Sequence, residues 1–481
     1  MSETLPDDIV DRLRDCLGGA GYTVDGVSAR LGRTAHAALG RNETTPAYRA
    51  TTGGDELDTM IRLFLLQRAV PEAQAAKAFP GIVDQLTAAG ILVASGNDVR
   101  AAVDIRPYKD WWVVADLTPG LDGRRELMRP DYVLGVSPAS LNLVDLTVPV
   151  DVSSALDIGT GCGVQALHLA GHARHVVATD VNGRALRLAA LTARLSEADI
   201  ELRSGSLFTP VATERFDLIV SNPPFVVAPP SRETLTYRET GLAADAVVEL
   251  LVREAPEHLT DGGWLQTLAN WTHVKGQDWR ERVCGWLGAR SAWAVQRETL
   301  GCEEYVELWL RDAGLHGTPS YTERYDEWLR WFAEQRVEAI GMGWITLHNV
   351  AGTQTCEDWP YAVEQPLGPH VVERMRRTET PPADLLATRL RTATDVVEER
   401  HGPPGADDPA TIVLRRQRGM RRAEQVDTVL AGFAGACDGD LTAGQILAAL
   451  AHLLGEDATD LAERYAGRIA ALVAEGFLDP A

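Results

Sequence analysis

Lysine is nearly absent from this chain. Lys77, Lys109 and Lys275 are the only three in 481 residues, and arginine carries the rest of the positive charge. That bias reads as a coding preference, so arginine by itself is no sign of RNA binding. Cysteine is scarce too: six residues (Cys16, Cys162, Cys284, Cys302, Cys356 and Cys437) with no C-x-x-C pair. This excludes a local zinc motif, argues against a disulfide scaffold and fits a reducing compartment; no metal is expected. There is no run of about eighteen apolar residues, so no membrane span is expected. The start, Met1 to Asp8, is acidic and polar rather than a secretory leader, which points to the cytoplasm. Positive charge is outweighed, with a net charge of −22. That counts against a wide footprint on naked nucleic acid, where phosphate neutralisation dominates affinity. What is present is 45% apolar residues, enough for real cores, in a chain long enough for two or three domains.

The most informative stretch is Ala155-Leu-Asp-Ile-Gly-Thr-Gly-Cys-Gly163. Ser154 to Ile158 is a short apolar run ending at glycines, as a buried parallel strand does. Gly159, Thr160, Gly161 and Gly163 then lead into Val164 to Ala170, which has helix-forming composition. Glycines in such a turn let the backbone approach a ligand closely. The next strand, His175 to Thr179, ends at Asp180, where an acidic side chain can reach a ribose. A dinucleotide site would use G-x-G-x-x-G and put a pyrophosphate on the helix N-terminus. Here the spacing is G-x-G-x-G with Asp157 before it, which suits a ligand with an ammonium group and no phosphate: S-adenosylmethionine (SAM). A purely structural glycine turn is the bland alternative. Cys162, inside the loop, reads as a small space-filling residue rather than a nucleophile.

A second stretch, Ser221-Asn-Pro-Pro-Phe225, leaves the end of the strand Phe216 to Val220. Ligands of open α/β sheets lie at that edge. An amide or nucleobase NH2 is a poor nucleophile because its lone pair is delocalised. If the Asn222 side-chain carbonyl and the Pro223 backbone carbonyl accept its two hydrogens, the nitrogen is drawn toward tetrahedral geometry. That interaction strengthens toward the transition state, so it is catalysis as well as binding. Pro223 and Pro224 remove competing N–H donors and stiffen the loop. Phe225 offers a flat apolar face. Without the upstream glycines, an ordinary proline turn would explain the same residues.

Taken together, these motifs resemble the class I SAM-dependent methyltransferases with an N-P-P-[FY] motif. These include the release-factor glutamine methyltransferases and the ribosomal-RNA guanine-N2 methyltransferases. The resemblance covers roughly residues 130–312. Val226-Val-Ala-Pro-Pro230 is similar to the archaeal and eukaryotic type of glutamine methyltransferase, whereas Phe225 is the choice of the rRNA enzymes. The resemblance implies a SAM-binding set of Asp157, Gly159, Thr160, Gly161, Gly163, Asp180, Ser206, Leu207 and Asn222. It implies a catalytic set of Asn222, Pro223, Pro224 and Phe225. Ser137 to Ser140 would lie at the pocket rim. One departure is visible: Ser206 stands where the family carries an acid before Leu-Phe to contact the adenine amino group.

The α/β pattern predicts a Rossmann-like, seven-stranded domain over 151–315, with strands at 154–158, 175–179, 199–203, 216–221, 262–269, 292–297 and 305–310. Residues 1–108 read as a helical, winged-helix-like domain and 109–150 as a bridge. An extension covers 316–410, with an added strand at 340–348. A C-terminal helical domain covers 411–481, whose ending Leu472 to Leu478 echoes Gln85 to Leu92. Ser231 to Ala244, with Arg232, Glu233, Tyr237 and Arg238, reads as a substrate lid or a solvated loop. Arg415-Arg-Gln-Arg-Gly-Met-Arg-Arg422 reads as a phosphate-binding strip, a solvated helix start, or a partner for the many acids. The expected function is methyl transfer to a planar NH2, in line, without metal or covalent intermediate. A protein glutamine amide leads. An RNA exocyclic amine in a translation-associated partner and a catalytically silent SAM-binding scaffold are the alternatives.

Overall fold

The computed structural model describes residues 5–123, 129–224, 226–229, 245–404 and 409–481. The chain divides into two compact units. The first comprises the chain up to Val144 together with Val150–Gly288 and Glu298–Asn349; the second comprises Asp145–Pro149, Ala289–Arg297 and Val350–Ala481.

In the first unit the N-terminal helix Asp7–Gly19 buries Ile9, Val10, Leu13 and Leu17, the three-and-four spacing of one helical face. The helix Val83–Ala88 stops at Gly90, whose φ of +71° an L side chain resists. The strands Leu92–Ser95 and Asp98–Ala101 then form an antiparallel hairpin joined by Val70–Pro71. The return strand ends at Ala101. Asp104–Tyr108 pairs instead with Trp111–Ala115.

The central sheet of this unit contains β1 (Val152–Ile158), β2 (Ala173–Asp180), β3 (Glu201–Ser204), β4 (Phe216–Ser221), β5 (Leu259–Val274) and β6 (Val337–Ala351). They lie in the order β3-β2-β1-β4-β5-β6. The first five are mutually parallel, and β6 runs antiparallel to β5. The strand order reverses between β1 and β4, the place where open α/β sheets hold ligands. Helices α1 (Val164–Leu169) and α2 (Gly183–Leu195) follow β1 and β2, and α3 (Ala246–Glu254) precedes β5. The N-terminal helices share one core with them, including Leu13, Leu17, Val164, Leu167, Leu188 and Leu191. Arg14 donates to the Arg194 and Leu195 carbonyls (2.7 and 3.2 Å), satisfying the free end of α2.

One expected strand is corrected. Residues 305–310 belong to a helix, α4 (Cys302–Asp312), followed by α5 (Ser320–Glu334). Its buried residues are Cys302, Tyr305, Val306, Trp309 and Leu310, a helical period that a window starting at Tyr305 truncates into apparent alternation. The antiparallel strand beside β5 comes later, as β6, within the stretch read as an extension.

In the second unit, Arg290–Gly301 and Gln354–Asp358 pair in parallel. The C-terminal part contains the helices Thr428–Ala436, Ala443–Leu454 and Ala458–Ala474, packed around Phe433, Leu461 and Phe477. Two three-stranded sheets accompany them, so this part is more mixed than its composition indicates. The arginine run is neither a strip nor a helix start. It ends the strand Thr411–Arg416 and turns into Ala423–Val426. Arg415 pairs with Glu399, Arg416 with Asp395, and Arg422 with Glu357 and Glu475. Cys16, Cys162, Cys302 and Cys437 are free thiols. Among the described residues no helix is long and apolar enough to cross a membrane.

Candidate active site

Three strands end at one level. Ile158 of β1 is in register with Thr179 of β2 on one side and Ser221 of β4 on the other. The residues that leave these strands, Gly159, Asp180 and Asn222, therefore emerge side by side at the C-terminal edge. Ser221 reinforces the alignment, its hydroxyl donating to the Ile158 carbonyl at 2.8 Å.

The glycine loop is tied down by its own backbone. The Gly159 and Thr160 amides both donate to the Thr179 carbonyl (2.9 and 3.0 Å). The Gly161 amide donates to Asp180 Oδ2 at 3.0 Å, and Asp180 Oδ1 accepts the Asn182 amide at 2.8 Å. The glycines differ in purpose. Gly161 has φ +58° and nothing within 4 Å of a notional Cβ, so it faces open space. Gly163 caps α1 at φ +86°, and a Cβ there would sit 3.3 Å from the Ala189 Cβ. Its smallness serves the packing of α1 on α2.

A cavity of about 780 Å³ opens at this edge, within the range of roughly 300–1,000 Å³ usual for small-molecule sites. Of the predicted residues, Gly159, Thr160, Gly161, Asp180, Ser206, Leu207, Asn222, Pro223 and Pro224 line it. Ser137 and Ser140 line it from the segment before β1. Asp157 and Gly163 are not among its lining residues; Asp157 is fully buried at the end of β1. Phe225 and the expected lid, with Arg232, Glu233, Tyr237 and Arg238, lie outside the described residues. The turn that carries Ser206 is tightly built. Gly205 donates to the Asp180 carbonyl, and Leu207 adopts φ +45°.

Sequence reasoning missed part of the wall. Trp309 of α4 lines the cavity, as do Tyr132 and Gln165. The signal for Trp309 lay in the helical spacing from Cys302 onward. Gln165 is fixed by donating to the Ser140 carbonyl at 2.7 Å. Among the described residues, no lysine, arginine or histidine lines the cavity.

Several buried oxygens around the loop lack a well-formed hydrogen bond: both carboxylate oxygens of Asp157, the hydroxyls of Thr160 and Thr179, and the side-chain carbonyl of Asn222. Such orphans are rare in folded proteins, and at Thr160, Thr179 and Asn222, which line the cavity, a bound ligand can supply the missing partner. Burial pushes the Asp157 carboxyl up to about 7, with the nearby Thr160 hydroxyl opposing and Asp180 adding to the rise. Burial also raises Asp180, against the amides of Asn182 and Gly161. The acceptors that the described residues present suit a ligand rich in donors, such as an ammonium and ribose hydroxyls. The residues present therefore fit SAM.

Residues 138–279 match the family model of the methyltransferase small domain. By that match and its sheet order, the segment is of the class I methyltransferase type. Residues 19–102 and 372–480 match two models described only as domains of unknown function, DUF7059 and DUF7782. Among curated proteins, the chain is 38% identical to the release factor glutamine methyltransferase of Geobacter sulfurreducens over 124 residues, which is 24% of this chain and 44% of that protein. It is 34% identical to the ribosomal protein uL3 glutamine methyltransferase of Bradyrhizobium diazoefficiens, over 29% of this chain and 48% of the relative. It is 32% identical to the ribosomal RNA small subunit methyltransferase C of Salmonella arizonae, over 28% of this chain and 36% of the relative. The chain spans about half the length, or less, of these relatives. A solved ribosomal protein L11 methylase from Lactobacillus delbrueckii is 25% identical, over 27% of this chain and 56% of that one, with a TM-score of 0.21.

Proposed function

We propose that this protein is a SAM-dependent N-methyltransferase whose acceptor is a protein glutamine amide. The observation that carries the reading is Asn222 Oδ1, buried and unpaired, on a residue lining the same cavity as Gly161 and Asp180. When bound, SAM supplies an electrophilic methyl group. Gly159, Thr160 and Gly161 would lie along the cofactor, with Asp180, Ser206 and Leu207 around its nucleoside end. Asp157 acts from behind Thr160 as a buried charge favouring an ammonium.

The remaining work falls to Asn222 and Pro223. Their carbonyls accept the two N–H bonds of the acceptor amide and draw its nitrogen out of conjugation. Acceptors held in place by the fold do this without reorganising during the reaction. Prolines at 223 and 224 offer carbonyls without competing N–H donors. Phe225 follows directly and is assigned the planar face of the acceptor group.

A protein acceptor is favoured over RNA by charge. The chain carries −22 overall, and three of the five arginines in its basic run are engaged by acids. The relatives named as glutamine methyltransferases point the same way, toward an acceptor in the translation apparatus. Tritiated methyl-SAM incubated with cell extract tests this. The expected label is protease-sensitive, nuclease-resistant and released as volatile methylamine on amide hydrolysis. Nuclease-sensitive label would move the acceptor to an RNA amine.

A further inference from the structure

Resting on the methyltransferase reading, we propose that Tyr305 is a positioning residue that fixes the acceptor-holding loop. The loop after β4 runs from Asn222 through Val226, Val227 and Ala228 without joining a strand. A buried backbone N–H in such a segment must find a partner elsewhere. Val227 is fully buried, and its amide donates to the Tyr305 hydroxyl at 2.9 Å. The same hydroxyl accepts a hydrogen from Asn270 Nδ2 at 3.3 Å.

The geometry makes this a bracket. Thr267 of β5 is level with Ser221, so Asn270 stands three residues beyond the end of β4, on a stretch of β5 that still pairs with β6. Tyr305 comes from α4, and its ring is fully buried with Trp309 and Phe332 at centroid distances of 6.0 and 6.2 Å. Val226, Val227 and Ala228 belong to this same apolar cluster. One turn further along α4, Trp309 lines the cavity that Asn222 lines. A single helix thus supplies both an anchor behind the loop and a wall in front of it. The hydroxyl is the one polar element the anchor needs. It holds the chain five residues beyond Asn222 and restricts where the Asn222 and Pro223 carbonyls point.

The test compares full-length Tyr305→Phe with Tyr22→Phe. Tyr22 is a second fully buried tyrosine, whose hydroxyl donates to the Ile105 carbonyl at 2.8 Å away from the cavity. It controls for losing a buried hydroxyl as such. In Tyr305→Phe, hydrogen exchange across 222–229 should quicken about tenfold, and kcat should fall about tenfold, with the SAM Kd within about twofold of wild type. In Tyr22→Phe, exchange in that segment and kcat should stay at wild-type values. Unchanged exchange and kcat in Tyr305→Phe, or equal kcat losses in both variants, would overturn the proposal. If the wild type neither binds SAM nor transfers a methyl group, the methyltransferase reading fails. Faster exchange at 222–229 in Tyr305→Phe alone then still upholds the anchor.

Discussion

Asp157 shows how one residue links pH to both stability and ligand binding. Its carboxyl is fully buried, and burial raises its folded-state pKa to about 7, well above the ordinary carboxylate range. A raised acid favours the folded state while protonated, and that contribution is lost as pH rises through 7. Between pH 6 and 8 the ligand-free protein should lose about 1 kcal/mol from this group. A bound ammonium favours the ionised form, so the SAM Kd should tighten over the same interval, by up to about tenfold. Calorimetric titrations at pH 6, 7 and 8 measure this. Asp157→Asn should flatten the slope, and a slope that persists in the variant would assign it to another group. At this scale much was legible in the sequence. Asp157, Asp180 and Asn222 stand out because chemistry restricts their types. That Asp157 lies behind the cavity wall was not, because strand-end burial depends on what covers the edge.

At the scale of elements, the glycine loop separates into a ligand-facing part and a packing part. Gly163→Ala meets Ala189 and a left-handed φ of +86°. It should destabilise the fold by about 1–2 kcal/mol, lowering Tm by a few degrees while leaving SAM affinity nearly unchanged. Gly161→Ala carries the same left-handed strain, at φ +58°, but its methyl also enters the cavity, so it should weaken SAM binding as well as stability. Thermal melts and titrations on the pair check both halves; matching behaviour of the two variants would refute the division. Strand β1, the glycine turn and β4 were readable because short apolar runs ended by glycine or proline leave few alternatives. Helix α4 was misread because its apolar residues are dense enough to mimic a strand over six positions. The strand expected at 340–348 is present as β6, but periodicity carries no information about which strand neighbours which, so its place beside β5 was not legible.

Over the whole molecule, the acidic chain pairs most of its conspicuous arginines internally, and the catalytic-type segment occupies less than a third of its length. The flanking regions share a local device that the sequence did reveal. A helix ends at a left-handed glycine, Gly90 or Gly476, and a short strand follows. Their sheets were less legible, since strands of two to six residues carry little periodicity of their own. The account rests on separating a cofactor held by the glycine loop from an acceptor held by Asn222. The most direct test measures SAM affinity and methyl transfer together for wild type and Asn222→Ala. The expected result is one SAM bound per chain with similar Kd in both, and transfer lowered about 10²–10³-fold in the variant. Undiminished transfer, or SAM affinity lost along with transfer, would contradict it.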